Sequence, residues 1–436
     1  MPGTQPPCSL ADLLRVFFRI GCISFGGPAG QIALMHREVV DERGWIREDQ
    51  FLHALNFCHL LPGPEAMQLA TWIGWKLHGV RGGLVAGLLF VLPGALLILA
   101  LSWLYMMAAS QEWFAALFLG IKAAVLAIVA QALLRISARA LNTGLKRALA
   151  IMAFAALFLL DLPFPAVVLG AGLIGMAAAA RRPEWLGIGP QSAAPPPTPR
   201  PWRETGMAVA IWGAIWAAPL VVVFLTLGRG HVLWDIGVFF SQLAIVTFGG
   251  AYAVLAYMAQ EAVQGFGWLA AGEMADGLGL AETTPGPLIL VTQFVGTLAA
   301  FRSAEPFSPL VAALMGAGLT TWVTFAPCFL WIFALAPWME RLENVPKLKG
   351  GLAALTAAIV GVIANLALWF ALHVLFATVE RQSFGPLRLH VPDPASLDWA
   401  AALLTILALI LLFGLRWPIL RVLGLTALGG LALGAV

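Results

Sequence analysis

Charged side chains are scarce in this sequence: Asp, Glu, Lys and Arg make up 11% of 436 residues, against 61% hydrophobic. A water-soluble domain needs about a quarter of its residues charged to cover its surface, so a string of soluble domains is excluded. The mean hydropathy of +0.89 and repeated apolar runs long enough for a bilayer point to a multi-pass membrane protein partnered by lipid. Cysteine is also sparse. Cys8, Cys22, Cys58 and Cys328 form no CxxC pair, which excludes a disulfide ladder and leaves small apolar packers. No GxxxxGK[ST] loop is present, so the chain has no ATP-hydrolysing loop of its own. A net charge of +3 without a basic run argues against nucleic acid. No His/Cys ligand set or nucleophile–base pattern is visible, which disfavours a membrane enzyme, a metal site or a cofactor. The Pro-rich start, Met1–Ser9, lacks the pattern of a signal peptide, so the first hydrophobic segment is expected to stay.

What the sequence does contain is a repeat. A shift of 223 positions aligns Phe25-Gly26-Gly27 with Phe248-Gly249-Gly250, Gly44-Trp45 with Gly267-Trp268, and Pro62-Gly63-Pro64 with Pro285-Gly286-Pro287. The same ungapped shift pairs Phe17, Ala33, Met35, Glu38, Val40 and Leu55 with Phe240, Ala256, Met258, Glu261, Val263 and Leu278, giving fourteen identities. Chance apolar similarity favours Leu and Ala, not Gly, Trp and Pro. The chain therefore divides into a first repeat, 1–181, a Pro/Arg-rich linker, 182–203, and a second repeat, 204–436, which begins with a linking helix. The linker includes Ala194-Pro195-Pro196-Pro197-Thr198-Pro199, which cannot pack as a helix.

Arg135, Arg139, Lys146 and Arg147, and Arg181 with the linker's Arg182, Arg200 and Arg203, place both regions in the cytoplasm by the positive-inside rule. Ala109–Glu112 carries no Lys or Arg, whereas its counterpart Glu340–Gly351 carries Arg341, Lys347 and Lys349. Equivalent loops on opposite faces mean inverted copies, an arrangement that places substrate near mid-membrane where the copies meet. Arg381 and Arg388 count against this orientation, because their loop falls outside. The expected fold is an all-α polytopic membrane protein with two inverted-topology repeats and broken or re-entrant helices.

The repeated motifs break helices. Pro28, Pro62, Pro64, Pro285 and Pro287 are the expected hinges, and the neighbouring glycines permit turns closed to other residues. Such breaks survive in a bilayer only where they are buried in protein or line a wet cavity. Leu52–Leu61 and Glu65–His78 read as two pieces of one interrupted segment, with Pro64 opening the second piece. Exposed amides at such helix starts favour anions. Four converging ends supply at most roughly 8 kcal/mol, while burying a bare divalent anion costs tens of kcal/mol; an anion site here must be wet or hold a cation. The predicted contacts are the amides of Gly26, Gly27, Gly63, Gly249, Gly250 and Gly286, with Arg19, Thr283 and Thr284.

Other charges carry two readings each. Arg15 and Arg19, four apart on one helical face, are substrate contacts or interfacial anchors. Lys76 reads as a cytoplasmic anchor. Lys122, alone in the apolar run Leu117–Ala132, is costly and functional by default. His59 and Glu282 occupy equivalent positions three residues before Pro-Gly-Pro; they exchange a proton or mark a wet helix end. Glu65 is a capping acid or a third proton-coupling candidate. Asp161 reads as a hairpin residue and Asn365 as interhelical glue.

The motifs Arg19-Ile20-Gly21, Ser24-Phe25-Gly26-Gly27-Pro28 and Leu61-Pro62-Gly63-Pro64-Glu65, with Thr247-Phe248-Gly249-Gly250 and Glu282-Thr283-Thr284-Pro285-Gly286-Pro287, resemble the chromate ion transporter family in its long form with two homologous halves. The resemblance covers roughly residues 15–105 and 239–337. It implies chromate efflux by secondary active transport across the bacterial inner membrane, conferring chromate resistance, with sulfate as a related substrate. A sulfate or other oxyanion permease or antiporter using the same site is the alternative. A homodimer is compatible with this reading. The chain departs from the family pattern at His59, usually uncharged, at Met67, often Gln, and at Ala251, where a second proline would match Pro28.

Overall fold

The computed structural model describes residues 8–25, 27–109, 111–188, 201–248, 251–342, 345–385 and 387–434. In the first copy the helices are α1 (Leu10–Ile23), α2 (Gly27–His36), α3 (Glu48–Cys58), α4 (Glu65–Ala108), α5 (Glu112–Ala140), α6 (Gly144–Phe158) and α7 (Phe164–Arg181). The second copy contributes α8 (Trp202–Leu227), α9 (Val232–Val246), α10 (Ala251–Gln260), α11 (Ala271–Thr283), α12 (Val291–Arg302), α13 (Pro309–Leu335), α14 (Met339–Leu342), α15 (Pro346–Leu375), α16 (Trp399–Leu409) and α17 (Ile419–Gly434). One antiparallel hairpin, β1 (Val379–Phe384) with β2 (Leu387–Pro392), interrupts the helices. Among the described residues, six helices are long and apolar enough to cross a membrane, so the protein is an all-α, multi-pass membrane protein.

The helix ends follow local chemistry. Ser9 caps α1 by accepting the Asp12 amide, and Asp398 caps α16 by accepting that of Ala401. Ser308 caps α13, with Pro309 in its first turn, where a missing donor costs nothing.

The chain separates into two compact units, each described by itself. Unit 1 comprises Met1–Ser102, Gln191–Val254 and Thr284–Val345; unit 2 comprises Trp103–Pro190, Leu255–Thr283 and Pro346–Val436. Each unit draws on both sequence copies, so compact units and sequence repeats are different partitions of the chain.

In unit 1, α4 is not one rod. Non-helical backbone at His78 and Gly79 leaves an initial helix over residues 65–77, about 20 Å long at ~1.5 Å per residue and too short for a hydrocarbon core of about 30 Å. The chain then folds back, and Gly74 packs against the Gly82 carbonyl so closely that neither glycine could carry a side chain. In the second copy α12, 12 residues long, turns back onto α13 with Gly296 against Thr320 and Gly316 against the Gly296 carbonyl. Both copies thus place Pro-Gly-Pro ahead of a short helix that closes a tight hairpin, and Pro93 and Pro327 fall inside the longer helices.

Unit 2 is built around α5 and α15. Gly120 of α5 meets the Thr426 backbone of α17, Gly361 of α15 meets the Ala150 carbonyl of α6, and Gly175 of α7 meets Gly350. The hairpin explains the two arginines that contradict the charge rule. Arg381 and Arg388 both pair with Asp161 in the α6–α7 turn, Arg388 at 3.3 Å, and the Arg388 amide donates to the Leu159 carbonyl at 2.8 Å. Asp161 has a φ of 51°; it is a turn residue, as read, and also the acid with which both arginines pair.

The expected linker is structured at its ends. Pro183–Leu186 forms a 3-10 turn with Leu186 buried, and Trp202 and Arg203 already belong to α8. Leu186 supplies the apolar anchor that the composition of the stretch conceals. The proline run itself lies outside the described residues.

Candidate functional site

The repeat is visible in the backbone. The Gly44-Trp45 and Gly267-Trp268 turns have φ of 60° and 63° at glycine, and the Trp45 and Trp268 amides reach the Val39 and Ala262 carbonyls at 2.9 and 2.8 Å. Phe25 and Phe248 repeat the same bond, to Ile23 and Val246. Each copy also carries a π-helical turn at its shared glutamate, Arg37–Asp41 around Glu38 and Glu261–Gly265 from Glu261; such bulges concentrate at functional sites.

In unit 1 the two copies exchange equivalent contacts. The Gly63 amide donates to the Thr247 carbonyl at 2.7 Å, and the Gly286 amide donates to the Ser24 carbonyl at 3.0 Å. Gly63 and Gly286 are the same repeat position, as are Ser24 and Thr247. Residue i of one copy thus meets j of the other while j meets i, the signature of a twofold-related contact. The Gly286 amide also reaches Ser24 Oγ at 3.2 Å, whereas the Thr247 hydroxyl donates to Leu243 of its own helix at 2.6 Å. Both glycines have positive φ, 113° and 100°. Gly94 follows Pro93 and lies against the Pro285 carbonyl, where a Cβ would approach to 2.5 Å.

These bonds correct one expectation. The sequence pattern assigns the amides of Gly63 and Gly286 to an anion, but in this conformation each donates to a protein carbonyl. Sequence spacing cannot reveal that the opposite copy supplies an acceptor. Gly27 differs: it opens α2 at φ 69° with no atom within 4 Å of the position a Cβ would take. Gly26, Gly249 and Gly250 lie outside the described residues. Pro28 occupies the first turn of α2. Pro64 lies just before α4 and accepts the Gln68 amide at 3.1 Å, so Glu65, half-buried, takes the first helical position instead. Pro287 precedes a 3-10 turn, Leu288–Leu290, and α12 begins only at Val291.

Two buried glutamines line these turns. Gln31 Nε2 donates to the Gly286 carbonyl and Gln68 Nε2 to the Pro62 carbonyl, each at 2.6 Å. Gln68 Oε1 is buried without a hydrogen-bond partner among the described residues. Arg19 lies 3.5 Å from Glu38, whose side chain is fully buried and bonded at 2.6 Å to Arg43. Arg43 also lies 3.4 Å from Glu42, which pairs with Arg37 at 3.6 Å, so three guanidiniums and two carboxylates leave one net positive charge, and Arg19 remains 58% exposed. Arg15, by contrast, is 80% exposed and pairs with Asp12 at 3.3 Å, consistent with an anchor. Sequence reasoning missed Gln31, Gln68 and Arg43; Glu38 was detectable as an identity between the copies.

The remaining candidates are placed as follows. His59 is the exposed C-cap of α3, its amide donating to Leu55 at 3.1 Å. Thr284 is buried in unit 1. In unit 2, Glu282 is half-buried in the last turn of α11. Thr283 donates its hydroxyl to the Leu280 carbonyl at 2.9 Å, so it closes the end of its own helix and in this conformation does not offer that proton to a ligand. Also in unit 2, Lys122 of α5 lies 3.0 Å from Asp276 of α11, which accepts the Tyr105 hydroxyl at 2.7 Å.

Known proteins show the same two-part organisation. The family model described as Chromate transporter matches residues 11–176 and 234–433, two segments that start 223 residues apart. A chromate transport protein of Pseudomonas aeruginosa is 33% identical over 83% of this chain and 81% of its own length. One from Cupriavidus metallidurans is 29% identical over 83% and 82%, and a probable chromate transport protein of Synechococcus elongatus is 28% identical over 83% and 84%. No solved structure matches the chain. With both halves matched, the chain belongs to the chromate transporter family, in its long form.

Proposed function

We propose that this protein exports chromate from the bacterial cytoplasm across the inner membrane by secondary active transport, and so confers chromate resistance. The reading is supported by family membership together with the reciprocal contact of each Pro-Gly-Pro glycine with the residue before the other copy's Phe-Gly-Gly, which joins two interrupted helical hairpins in one unit. Inverted copies, a cytoplasmic linker and a site where the interrupted segments meet belong to the same proposal. The anion is held by Arg19 with the amides of Gly26, Gly27, Gly249 and Gly250, and Thr284 lies beside the second turn. Gly63 and Gly286 shape the cradle through their turns. His59, Glu65 and Glu282 are the further groups whose protonation accompanies the cycle.

Arg19 is the cation this reading assigns to the anion, because helix ends alone cannot offset the dehydration of a dianion. Chromate and sulfate are both tetrahedral dianions, so hydrogen bonding separates them weakly and a sulfate or oxyanion permease is the alternative. Purified protein in proteoliposomes, assayed for labelled chromate flux with sulfate as competitor, decides between them. Chromate flux that excess sulfate barely reduces supports the proposal; sulfate flux without chromate flux overturns it. Arg19→Gln should lower chromate flux at least tenfold.

A further inference from the structure

Unit 2 holds a charge pair that the site above does not use. Lys122 lies ten residues into the 29-residue α5, about 15 Å from its start at ~1.5 Å per residue and so near the middle of a core about 30 Å thick. Its Nζ is 3.0 Å from Asp276 Oδ1, and the Tyr105 hydroxyl donates to Oδ2 at 2.7 Å. Phe114 and Phe118 set their rings edge-on to Tyr105. Asp276 has 8% of its side chain exposed and Lys122 has 21%. Gly279 brings α11 against Ile121 and Val125, while at Gly272 a Cβ would stand only 3.6 Å from Lys122 Nζ. The absent side chain at Gly272 leaves the ammonium uncovered on that side.

A purely structural contact at this depth is made more cheaply by apolar side chains; ionisable pairs inside a membrane mark ion and proton pathways. We propose that Lys122 is a mid-membrane contact for the transported oxyanion and that Asp276 is the carboxylate that occupies it between turnovers, yielding it by taking up a proton. The inference rests on the transport reading above. With Asp276 ionised the pair is neutral and offers an anion no net charge. A proton from water on the carboxylate leaves Lys122 ammonium unpaired, and the anion takes its place; the ammonium keeps its own protons throughout. When the anion leaves, Asp276 loses the proton and recloses the pair. The charged or titratable groups acting on Asp276 are Lys122 of α5, Tyr105 of α4 and, one turn earlier on its own helix, Glu273.

The sign of the coupling follows. Anion and proton travel in the same direction, so a dianion with one proton moves as a single negative charge. Inside-negative potential drives that charge outward, by about 2.3 kcal/mol per 100 mV, and a proton gradient alone opposes export.

The test uses the full-length protein in proteoliposomes with the potential clamped at zero and both sides alkaline enough for the chromate dianion to dominate. An imposed pH gradient should raise wild-type chromate flux from the acidic to the alkaline side severalfold. Asp276→Asn should lose that stimulation, and Asp276→Glu should restore it. Tyr105→Phe, which keeps both charges, should move the pH midpoint of flux to more alkaline values, because the lost hydroxyl bond stabilised the ionised carboxylate. Flux driven from alkaline to acidic, or Asp276→Asn responding like wild type, or an unmoved midpoint in Tyr105→Phe, overturns the inference while leaving chromate transport standing. Absence of any wild-type chromate flux overturns the transport reading itself.

Discussion

Gly63 and Gly286 give the sharpest test of the reciprocal turn. At φ of 113° and 100° both lie beyond the left-handed basin that other residues occasionally enter, and an L side chain there costs about 1–3 kcal/mol in backbone strain. Their surroundings then separate them. A Cβ at Gly63 would stand 3.0 Å from Gln68 Nε2 and 3.4 Å from Cys328 Sγ, and the end of a glutamine side chain can give way. At Gly286 it would stand 3.1 Å from Leu290 Cδ1 and 3.3 Å from Gly94 Cα, and the backbone of Gly94 cannot. At ~1.4 kcal/mol per tenfold change, Gly63→Ala should reduce the closed-turn population by roughly 5- to 150-fold, with Gly286→Ala at or beyond the upper end. The β-branched Val should abolish transport at either position while the protein still inserts in the membrane. Chromate flux into inverted vesicles, normalised to the monodisperse fraction after solubilisation, reads the loss. Wild-type flux in either Ala variant, or a larger loss at Gly63 than at Gly286, refutes the reasoning.

Two further outcomes follow from the same contacts. Ser24→Ala removes the hydroxyl acceptor of the Gly286 amide and should lower stability by about 0.5–1.5 kcal/mol; Thr247→Ala, whose hydroxyl donates within its own helix, should leave the Gly63 bond intact and change chromate flux less. Thermal unfolding of the two variants in detergent compares them. Of cysteines introduced at Ser110 and Asn344, in a background lacking the four native ones, one should react with an impermeant thiol reagent in intact cells and the other only in inverted vesicles, and labelling of both in the same preparation removes the inverted arrangement.

The repeat, its offset, the broken helices and the charge at Lys122 were all legible in the sequence, because each is carried by residue types that cost free energy when misplaced. Proline deletes a donor, glycine at positive φ has no good substitute, and a lone lysine in an apolar run stands out against its neighbours. Partners were not legible. Asp276 lies 154 positions from Lys122, and nothing in either segment names the other. Arg381 and Arg388 likewise pair with Asp161, 220 and 227 positions earlier.

The sequence by itself determined that this is a membrane protein of two like copies with interrupted helices at matched positions, since composition and local backbone chemistry act over a few residues. Only the tertiary structure decided that the amide of each Pro-Gly-Pro glycine closes on the carbonyl beside the other copy's Phe-Gly-Gly, that Glu38 lies buried against Arg19 and Arg43, and that Lys122 is already paired. Hydrogen bonds and ion pairs act over about 3 Å, and which groups come within that reach is set by how helices far apart in the chain pack.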